Sequence, residues 1–440
     1  MKKIKAVLVL LALVVLAAGA WLKVFKSQAE ASVSYKEYIT HAEKLEAKGI
    51  YIDALSNYNS ALEYDKDNVD IVMKISEMYL KLGDSAGYIS TCDKAISMDA
   101  KNPAPYIGKI NYYISKSQYP EALKVIAAAD KSLGSNKTIE ELKRELSTKT
   151  VEKYVGYESV SDWYSQNGTS LIPVMSNGKW GLAAKDGTRK VQTRYEYIGV
   201  YDEETGVIPC LADGSYYYID MKGNRRLVGD YEYQFLGSFG NGLAPAERNG
   251  KYGYINTSFE EMSFEFDFAG SFANDTAAVK KNGKWALIGS DLNYKTNFDY
   301  DDILLDQNGF CSLFDMVVAK KGSNYVMLGT DGKAMSKNTF QDAAMPASDS
   351  EYIAVKSGEK WGFADREGNI VIKPQYDAAK SFSKGLAPVE IDDRWGYITA
   401  SGELVIDTVY FDAGVFSDGG SAPVYNSNSW NFLVLCEYDD

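Results

Sequence analysis

The chain has 440 residues, 33 tyrosines, a single histidine and a formal net charge of −13. This length supplies more than one hydrophobic core, and the lone His41 cannot form a histidine-based catalytic or metal cluster. Most of the acidic excess lies after residue 150. That part would repel phosphate backbones, so nucleic acid is excluded as an expected partner.

The N-terminus carries Lys2, Lys3 and Lys5, followed by an uncharged apolar run from Ala6 to Leu22. The run is near the lower length limit for a membrane-spanning helix. Residues 1–31 are therefore predicted to be a signal anchor and a short linker. Lysines before the run predict a cytoplasmic N-terminus and extracytoplasmic C-terminal domains, attached to the cell membrane by a single pass. Small residues after the run leave signal cleavage and secretion as an alternative.

Residues 32–148 repeat with a period of about 34 residues. In the first copy Ala54, Tyr58 and Ala61 are four and three residues apart, which places them on one helical face. The third copy repeats the pattern between Ala122 and Ala129. Because small residues on that face let a partner helix approach closely, the pattern predicts α-hairpin repeats.

The period and the alternation of alanine, aromatic and alanine resemble tetratricopeptide repeats. The resemblance implies a protein or peptide partner held against the inner helix faces. Five side chains are predicted to lie on those faces: Lys36, Glu43, Asp70, Glu77 and Asn111. The alternative for each of them is an ordinary solvated position on a helix.

Residues 149–160 are predicted to be a linker, and residues 161–440 an array of eight copies of about 35 residues. Each copy has an aromatic residue in the same surroundings. These eight marker aromatics are Trp180, Tyr216, Tyr252, Trp285, Tyr325, Trp361, Trp395 and Trp430. Alternating apolar residues around them, separated by Gly, Asn and Asp, predict short strands joined by tight turns. We expect the marker aromatics to be structural anchors of the repeats.

A glycine follows the marker aromatic in several copies, although glycine weakens a strand. We therefore expect a bulge or a close approach of a neighbouring backbone or ring at these points. The clearest copies read Lys179-Trp180-Gly181, Lys360-Trp361-Gly362 and Arg394-Trp395-Gly396. They resemble the bacterial WG-repeat family, over roughly residues 155–440. The resemblance implies binding and no particular chemistry. The glycine is absent after Tyr216, Trp285, Tyr325 and Trp430.

The sequence thus predicts an α + β multidomain protein. Tetratricopeptide-like helical repeats precede an all-β array, which forms either a propeller-like ring or an open β superhelix. Even spacing and short meander units favour the ring.

The sequence contains no nucleophile, phosphate-loop or metalloprotease motif. We therefore predict no catalytic residue, no cofactor and no metal site, and we expect that the chain is not an enzyme. Four cysteines lack metal-ligand spacing and are predicted to be core thiols. They are Cys92, Cys210, Cys311 and Cys436. Asp301 and Asp302 lie in the widest gap between marker aromatics, which is the best position for a hydrolytic loop.

Two functions remain open from the sequence. The first is an exported, membrane-anchored bacterial surface scaffold that binds protein partners through both repeat domains. The second is a cell-wall or glycan binder, since Tyr216-Tyr217-Tyr218 and the acidic, glycine-containing stretch after it resemble choline-binding wall repeats. Hydrolysis of glycans by a carboxylate pair is less favoured than either of these two functions.

Overall fold

The computed structural model describes Trp21 and residues 34–161, 171–226, 231–312, 315–347 and 352–436. These residues divide into two compact units, one that ends at Ser147 and one from Thr148 to Cys436. The first unit is helical and the second consists of short strands.

The described part of the first unit contains seven helices. They span 34–47 (α1), Tyr51–Tyr64 (α2), Val69–Lys81 (α3), Ser85–Met98 (α4), Ala104–Ser115 (α5), Tyr119–Leu133 (α6) and Lys137–Leu146 (α7). Asn68 begins α3 by accepting the amide N–H of Ile71 at 3.1 Å. Asp84 begins α4 in the same way, with Gly87 as donor at 2.9 Å. These side chains satisfy amide groups that a helix start leaves without an internal partner.

Consecutive helices pack as hairpins around the predicted small residues. Ala54 and Ala61 are fully buried and Tyr58 is 1% exposed. In the third hairpin Ala122 and Ala129 are also fully buried. The prediction of α-hairpin repeats is therefore confirmed.

The predicted single-pass membrane location is wrong on the evidence of these helices. None of the helices in the described residues is long and apolar enough to cross a membrane. The predicted anchor, residues 1–31, lies outside the described residues apart from Trp21.

The second unit consists of eight small antiparallel sheets, which we call blades 1 to 8. Blade 1 contains β2 (Ser159–Val160), β3 (Leu171–Ser176), β4 (Lys179–Ala184) and β5 (Arg189–Tyr195). Blade 2 contains β6 (Tyr197–Ile198), β7 (Ile208–Ala212), β8 (Ser215–Ile219) and β9 (Arg225–Arg226). Blade 3 contains β10 (Phe235–Leu236), β11 (Leu243–Arg248), β12 (Lys251–Asn256) and β13 (Glu261–Phe266). Blade 4 contains β14 (Phe268–Ala269), β15 (Ala277–Lys281) and β16 (Lys284–Ile288).

The second half repeats this plan. Blade 5 contains β17 (Asp302–Ile303), β18 (Met316–Lys321) and β19 (Asn324–Gly329). Blade 6 contains β20 (Asp342–Ala343), β21 (Ile353–Ser357), β22 (Lys360–Ala364) and β23 (Ile370–Tyr376). Blade 7 contains β24 (Ala378–Ala379), β25 (Leu386–Ile391), β26 (Arg394–Thr399) and β27 (Leu404–Tyr410). Blade 8 contains β28 (Asp412–Ala413), β29 (Ser421–Asn426), β30 (Ser429–Leu435) and, from the start of the unit, β1 (Thr150–Tyr157).

The eight blades form a closed ring. Each blade contacts the next one along the chain, and β30 of blade 8 contacts β2 of blade 1. β1 pairs antiparallel with β30, with Val151 opposite Val434. The start and the end of the unit therefore share one sheet, which removes an exposed sheet edge. The array is a propeller-like ring and not an open superhelix.

β1 and β2 also correct the sequence analysis. Residues 149–160 were predicted to be a linker, but Thr150–Tyr157 and Ser159–Val160 are strands of the ring. In the sequence no marker aromatic lies near β1, because this strand completes a copy whose other strands, with Trp430, lie at the far end of the chain.

Glycine after the marker aromatic allows the outer strand to approach closely in blades 1, 6 and 7. A Cβ on Gly181, Gly362 or Gly396 would lie only 2.4–2.5 Å from a carbonyl oxygen of the outer strand. The pairing register shifts at each of these points, so the predicted bulge and close approach are confirmed. Where alanine or valine replaces the glycine, at Ala286 and Val326, only isolated bridges take the place of the outer strand.

Candidate functional site

The candidate binding surface lies on the first helices of the three hairpins. Glu43 on α1, Glu77 on α3 and Asn111 on α5 occupy the same position in successive repeats. Glu43 and Asn111 are exposed and Glu77 is half-buried. Residues next to them in sequence, including Ala42 and Ser76, are fully buried. The helices therefore direct one face to the core and leave this series of polar side chains at the surface.

A charged cluster joins α1 and α3. Lys74 Nζ donates to Glu77 Oε2 at 2.9 Å, and Lys81 Nζ donates to Glu46 Oε1 at 2.8 Å. The hydrogen bond to Glu77 raises the pKa of Lys74, and the charges of Glu46 and Glu43 add to this effect. Glu43 and Glu77, two of the five predicted contact residues, thus belong to one electrostatic cluster.

Tyr58 fixes Glu46 within this charged cluster. Its hydroxyl donates to Glu46 Oε2 at 2.8 Å. Burial alone would raise the pKa of Glu46, but the hydrogen bonds from Lys81 and Tyr58 lower it overall. The core residue Tyr58 therefore connects the hairpin packing to the surface charge. Glu43 makes no ion pair with the described residues, which leaves its carboxylate open to a partner.

The other predicted contact residues are not drawn into the cluster. Lys36 and Asp70 are exposed near the starts of α1 and α3, and no described residue forms an ion pair with either of them. Asn111 lies one repeat further along, on α5.

A polar pair between α4 and α5 was missed by the sequence analysis. Lys109 is only 9% exposed, and its Nζ donates to Asp93 Oδ1 at 2.5 Å. A lysine at a core position of a helix pattern signals such a pair, because a buried ammonium group requires a partner.

The marker aromatics of the ring are packed between blades. Trp285 and Trp395 are buried and the other six are half-buried. Tyr216 packs against Phe235 of the next blade at 5.6 Å between ring centroids, and Tyr252 against Phe268 at 5.4 Å. These rings therefore form contacts between blades rather than one open surface.

The most buried anchors lie two residues after the marker aromatics. Tyr218, Tyr254 and Tyr397 are fully buried, and each hydroxyl donates to a glycine carbonyl in the connector that opens the next blade. For Tyr397 the acceptor is Gly414 O at 2.8 Å. Tyr397 also packs on Phe416 at 5.2 Å between centroids. Period-two alternation places these tyrosines on the same side of the strand as the marker aromatic, and this signal was available in the sequence.

The candidate hydrolytic residues Asp301 and Asp302 have structural partners. Asp301 Oδ1 accepts from Lys284 Nζ at 2.6 Å, and its Oδ2 accepts from the amide of Gly322 at 2.8 Å. These hydrogen bonds lower the pKa of Asp301. Asp267 has the same two kinds of partner in the preceding repeat. Asp302 accepts the amide N–H of Ile303 at 3.0 Å.

The four cysteines are buried and form no disulfide. Desolvation raises the pKa of Cys210 and of Cys311 to about 12. Such thiols are poor nucleophiles and metal ligands, because the thiolate is the reactive form. In the described residues no group of three or more His, Cys, Asp or Glu side chains is placed to hold a metal ion. His41 is exposed on α1.

Comparison with known proteins identifies the repeats of the ring. The model of the WG containing repeat matches residues 218–252, 252–285, 361–395 and 395–430. These segments are WG containing repeats. The predicted resemblance is confirmed for them, and Gly253, Gly362 and Gly396 lie within the matched segments. No curated protein matches the chain.

Several solved structures are similar to one part of the chain. The Arabidopsis OM64 TPR domain is 18% identical with a TM-score of 0.23, over 26% of this chain and 95% of its own. The yeast Sti1 TPR2B domain, solved in complex with pHsp70, is 20% identical with a TM-score of 0.23, over 26% of this chain and 92% of its own. A eukaryotic initiation factor is 12% identical with a TM-score of 0.38, over 63% of this chain and 91% of its own.

Proposed function

We propose that this chain is a binding scaffold whose helical unit holds a peptide segment of a protein partner. The observation that carries the proposal is the series of polar side chains Glu43, Glu77 and Asn111 at one position of α1, α3 and α5, of which Glu43 and Asn111 are exposed and Glu77 is half-buried. A repeated surface of this kind suits an extended ligand, because each repeat offers a polar side chain to the next section of the ligand.

The chemistry of this surface favours a peptide with basic and apolar side chains. Leu80 lies one turn after Glu77 on α3 and is 45% exposed. Met73 lies one turn before Glu77 and is half-buried. Lys74 forms an ion pair with Glu77, and Lys81 forms one with Glu46. Glu43 forms no ion pair with a described residue. An arginine or lysine of the partner would therefore bind at Glu43, and its neighbours would contact the apolar side chains of α3.

The β ring, in this proposal, is a second binding module without catalytic activity. Its repeated ion pairs and inter-blade rings spread similar groups around the ring, whereas catalysis requires one distinctive constellation. A cell-wall polymer is not favoured as a ligand of the marker aromatics, since rings that stack on sugars must be open and these rings are buried or half-buried. A glycan hydrolase is not favoured either, because Asp301 is engaged by Lys284.

Selection of peptides from a random display library on the purified chain tests this function. Peptides enriched in arginine or lysine next to apolar residues are expected. The double variant Glu43→Gln and Glu77→Gln removes two acceptor charges and keeps the side-chain shape. A hydrogen bond to a charged group contributes about 1.5–3 kcal/mol. The variant should therefore bind the selected peptides at least about tenfold more weakly.

The matched control is the double variant Glu63→Gln and Glu121→Gln. It removes the same charge from α2 and α6, which are second helices of their hairpins. This control should bind like the wild type. If both double variants weakened binding equally, the effect would be a nonspecific one of net charge, and the proposal would be contradicted. It would also be contradicted if neither double variant changed the binding of the selected peptides.

A further inference from the structure

The turn between β6 and β7 is longer in blade 2 than in other copies of the repeat. Asp202 and Val207 form the bridge that closes it, so residues 203–206 lie between the bridge partners. In blades 3, 4 and 7 only two residues separate the equivalent partners. Thr205 donates its amide N–H and its hydroxyl to Asp202 Oδ2, at 2.8 and 2.5 Å. These hydrogen bonds hold the longer turn in one conformation, and Glu204 is exposed on it.

Blade 3 departs from the repeat at the turn between β12 and β13. Phe259 lies there in the left-handed backbone region, with a φ of 61°. A bulky residue is rare in this region, because its Cβ crowds the backbone. Five other blades have a glycine with positive φ at this position: Gly187, Gly223, Gly332, Gly368 and Gly402. Leu292 occupies it in blade 4 with a φ of 62°, so a strained apolar side chain at this turn does not by itself indicate a ligand.

The longer turn of blade 2 and the strained turn of blade 3 meet in one pocket. The pocket has a volume of about 480 Å³, which is typical of small-molecule sites. Phe259 packs on Tyr218 at 5.9 Å between ring centroids, and Arg226 of β9 pairs with Tyr218 of β8. The buried Tyr218 therefore positions two of the lining residues. The lining consists of Glu204, Thr205, Val207, Arg226, Thr257 and Phe259.

The polar groups of this pocket differ in what they can bind. Glu204 is an exposed carboxylate and accepts hydrogen bonds. The Thr205 hydroxyl already donates its proton to Asp202, so its oxygen remains as an acceptor. Arg226 is exposed and offers only donors. Within the described part of the chain neither Glu204 nor Arg226 forms an ion pair, so both charges are available to a ligand.

We propose that this pocket binds a dipeptide with free ends and an apolar side chain. Glu204 and Thr205 accept from its ammonium group, and the planar guanidinium of Arg226 donates two parallel hydrogen bonds to its carboxylate. Val207 and Phe259 provide the apolar surface for its side chain. Because Glu204 and Arg226 do not pair with each other, the ligand must carry its two charges apart, as a dipeptide does and a single amino acid does not. This ligand class rests on the binding role proposed above for the β ring.

Alanyl-leucine is the probe, and it is titrated into the full chain by ligand-observed NMR. Two analogues with the same side chains each lack one charge. N-acetyl-alanyl-leucine has no ammonium group, and alanyl-leucinamide has no carboxylate. The dipeptide is expected to bind with a Kd of roughly a millimolar. Each analogue should bind at least about tenfold more weakly, because it loses a charge-assisted hydrogen bond.

Two substitutions of exposed side chains assign the ends of the ligand. Glu204→Gln should weaken alanyl-leucine at least about tenfold and should no longer distinguish it from the N-acetyl analogue. Arg226→Gln should weaken it similarly and should no longer distinguish it from the amide. Glu203→Gln and Arg225→Gln are the matched controls, since these neighbours carry the same charges, are exposed and do not line the pocket.

Saturable binding with this pairing of substitution and analogue would support the proposal. Absence of saturation across the millimolar range would overturn it. Equal weakening by the matched controls would overturn it as well, because the effect would then be one of general charge.

The double variant Glu43→Gln and Glu77→Gln separates this site from the surface of the helical unit. It should bind alanyl-leucine like the wild type. Loss of the dipeptide in that variant would assign the ligand to the helices and exclude the pocket in the ring. Failure of the pocket alone would leave the selection of peptides by α1 and α3 unchanged, so the two proposals can be refuted separately.

Discussion

Replacing Gly396 by alanine should destabilise the β ring at a single, defined contact. The added Cβ would lie 2.4 Å from Ile406 O and 2.9 Å from Thr408 N. Both are backbone atoms of the outer part of blade 7, so the clash cannot be relieved by rotating a side chain. Overpacking of this kind typically costs about 1–3 kcal/mol. For a domain of this size each kcal/mol lowers Tm by about 2–4 °C.

The assay combines thermal unfolding with hydrogen exchange of β27. Exchange in Leu404–Tyr410 should accelerate, because the simplest relief of the clash is separation of this strand from β26. Gly419→Ala is the control, since the nearest atom to its added Cβ would be the Lys185 side chain at 3.3 Å. If Gly396→Ala matched the wild type in Tm and in β27 exchange, the proposed role of the glycine would be refuted.

Three further outcomes are expected. Tyr397→Phe should lower the free energy of unfolding by about 1–3 kcal/mol, because it leaves the buried Gly414 carbonyl without its donor; a chemical denaturation curve measures this. Asn431→Ala should weaken the attachment of β1 to β30, because Asn431 Oδ1 accepts from the amides of Val155 and Gly156. Hydrogen exchange in β1 should then accelerate, and unchanged exchange would argue against this role. Burial raises the pKa of Asp306 to about 7, so the folded state retains a proton that the unfolded state loses near pH 4. Stability should therefore fall as pH rises between about 4 and 7, and Asp306→Asn should remove this slope in denaturation curves measured across that range.

The sequence predicts the copied parts of the fold well. Ala54 and Ala61 are spaced for one helix face, and they are buried at the hairpin contact. Gly396 interrupts a strand pattern, and it lies opposite a bulged outer strand. Local spacing is sufficient in these cases because each feature is determined within one or two repeats.

Features that depend on distant parts of the chain could not be predicted in this way. β1 pairs with a strand at the other end of the unit, so residues 149–160 have no nearby copy to compare with. The turn at Glu204 meets Phe259 only because blades 2 and 3 pack side by side. In the same way, the charged cluster on α1 and α3 needs the hairpins to be stacked before Glu43 approaches Lys74. The predicted anchor had only composition to support it.

The most direct test of the scaffold account is hydrogen exchange of the whole chain with and without its best selected peptide. The account predicts slower exchange in α1 and α3 on binding, smaller effects in α5, and unchanged exchange in the blades. The double variant Glu43→Gln and Glu77→Gln should show little of this protection at the same peptide concentration. Protection confined to the β ring, with α1 and α3 unchanged, would contradict the assignment of partner binding to the helical unit.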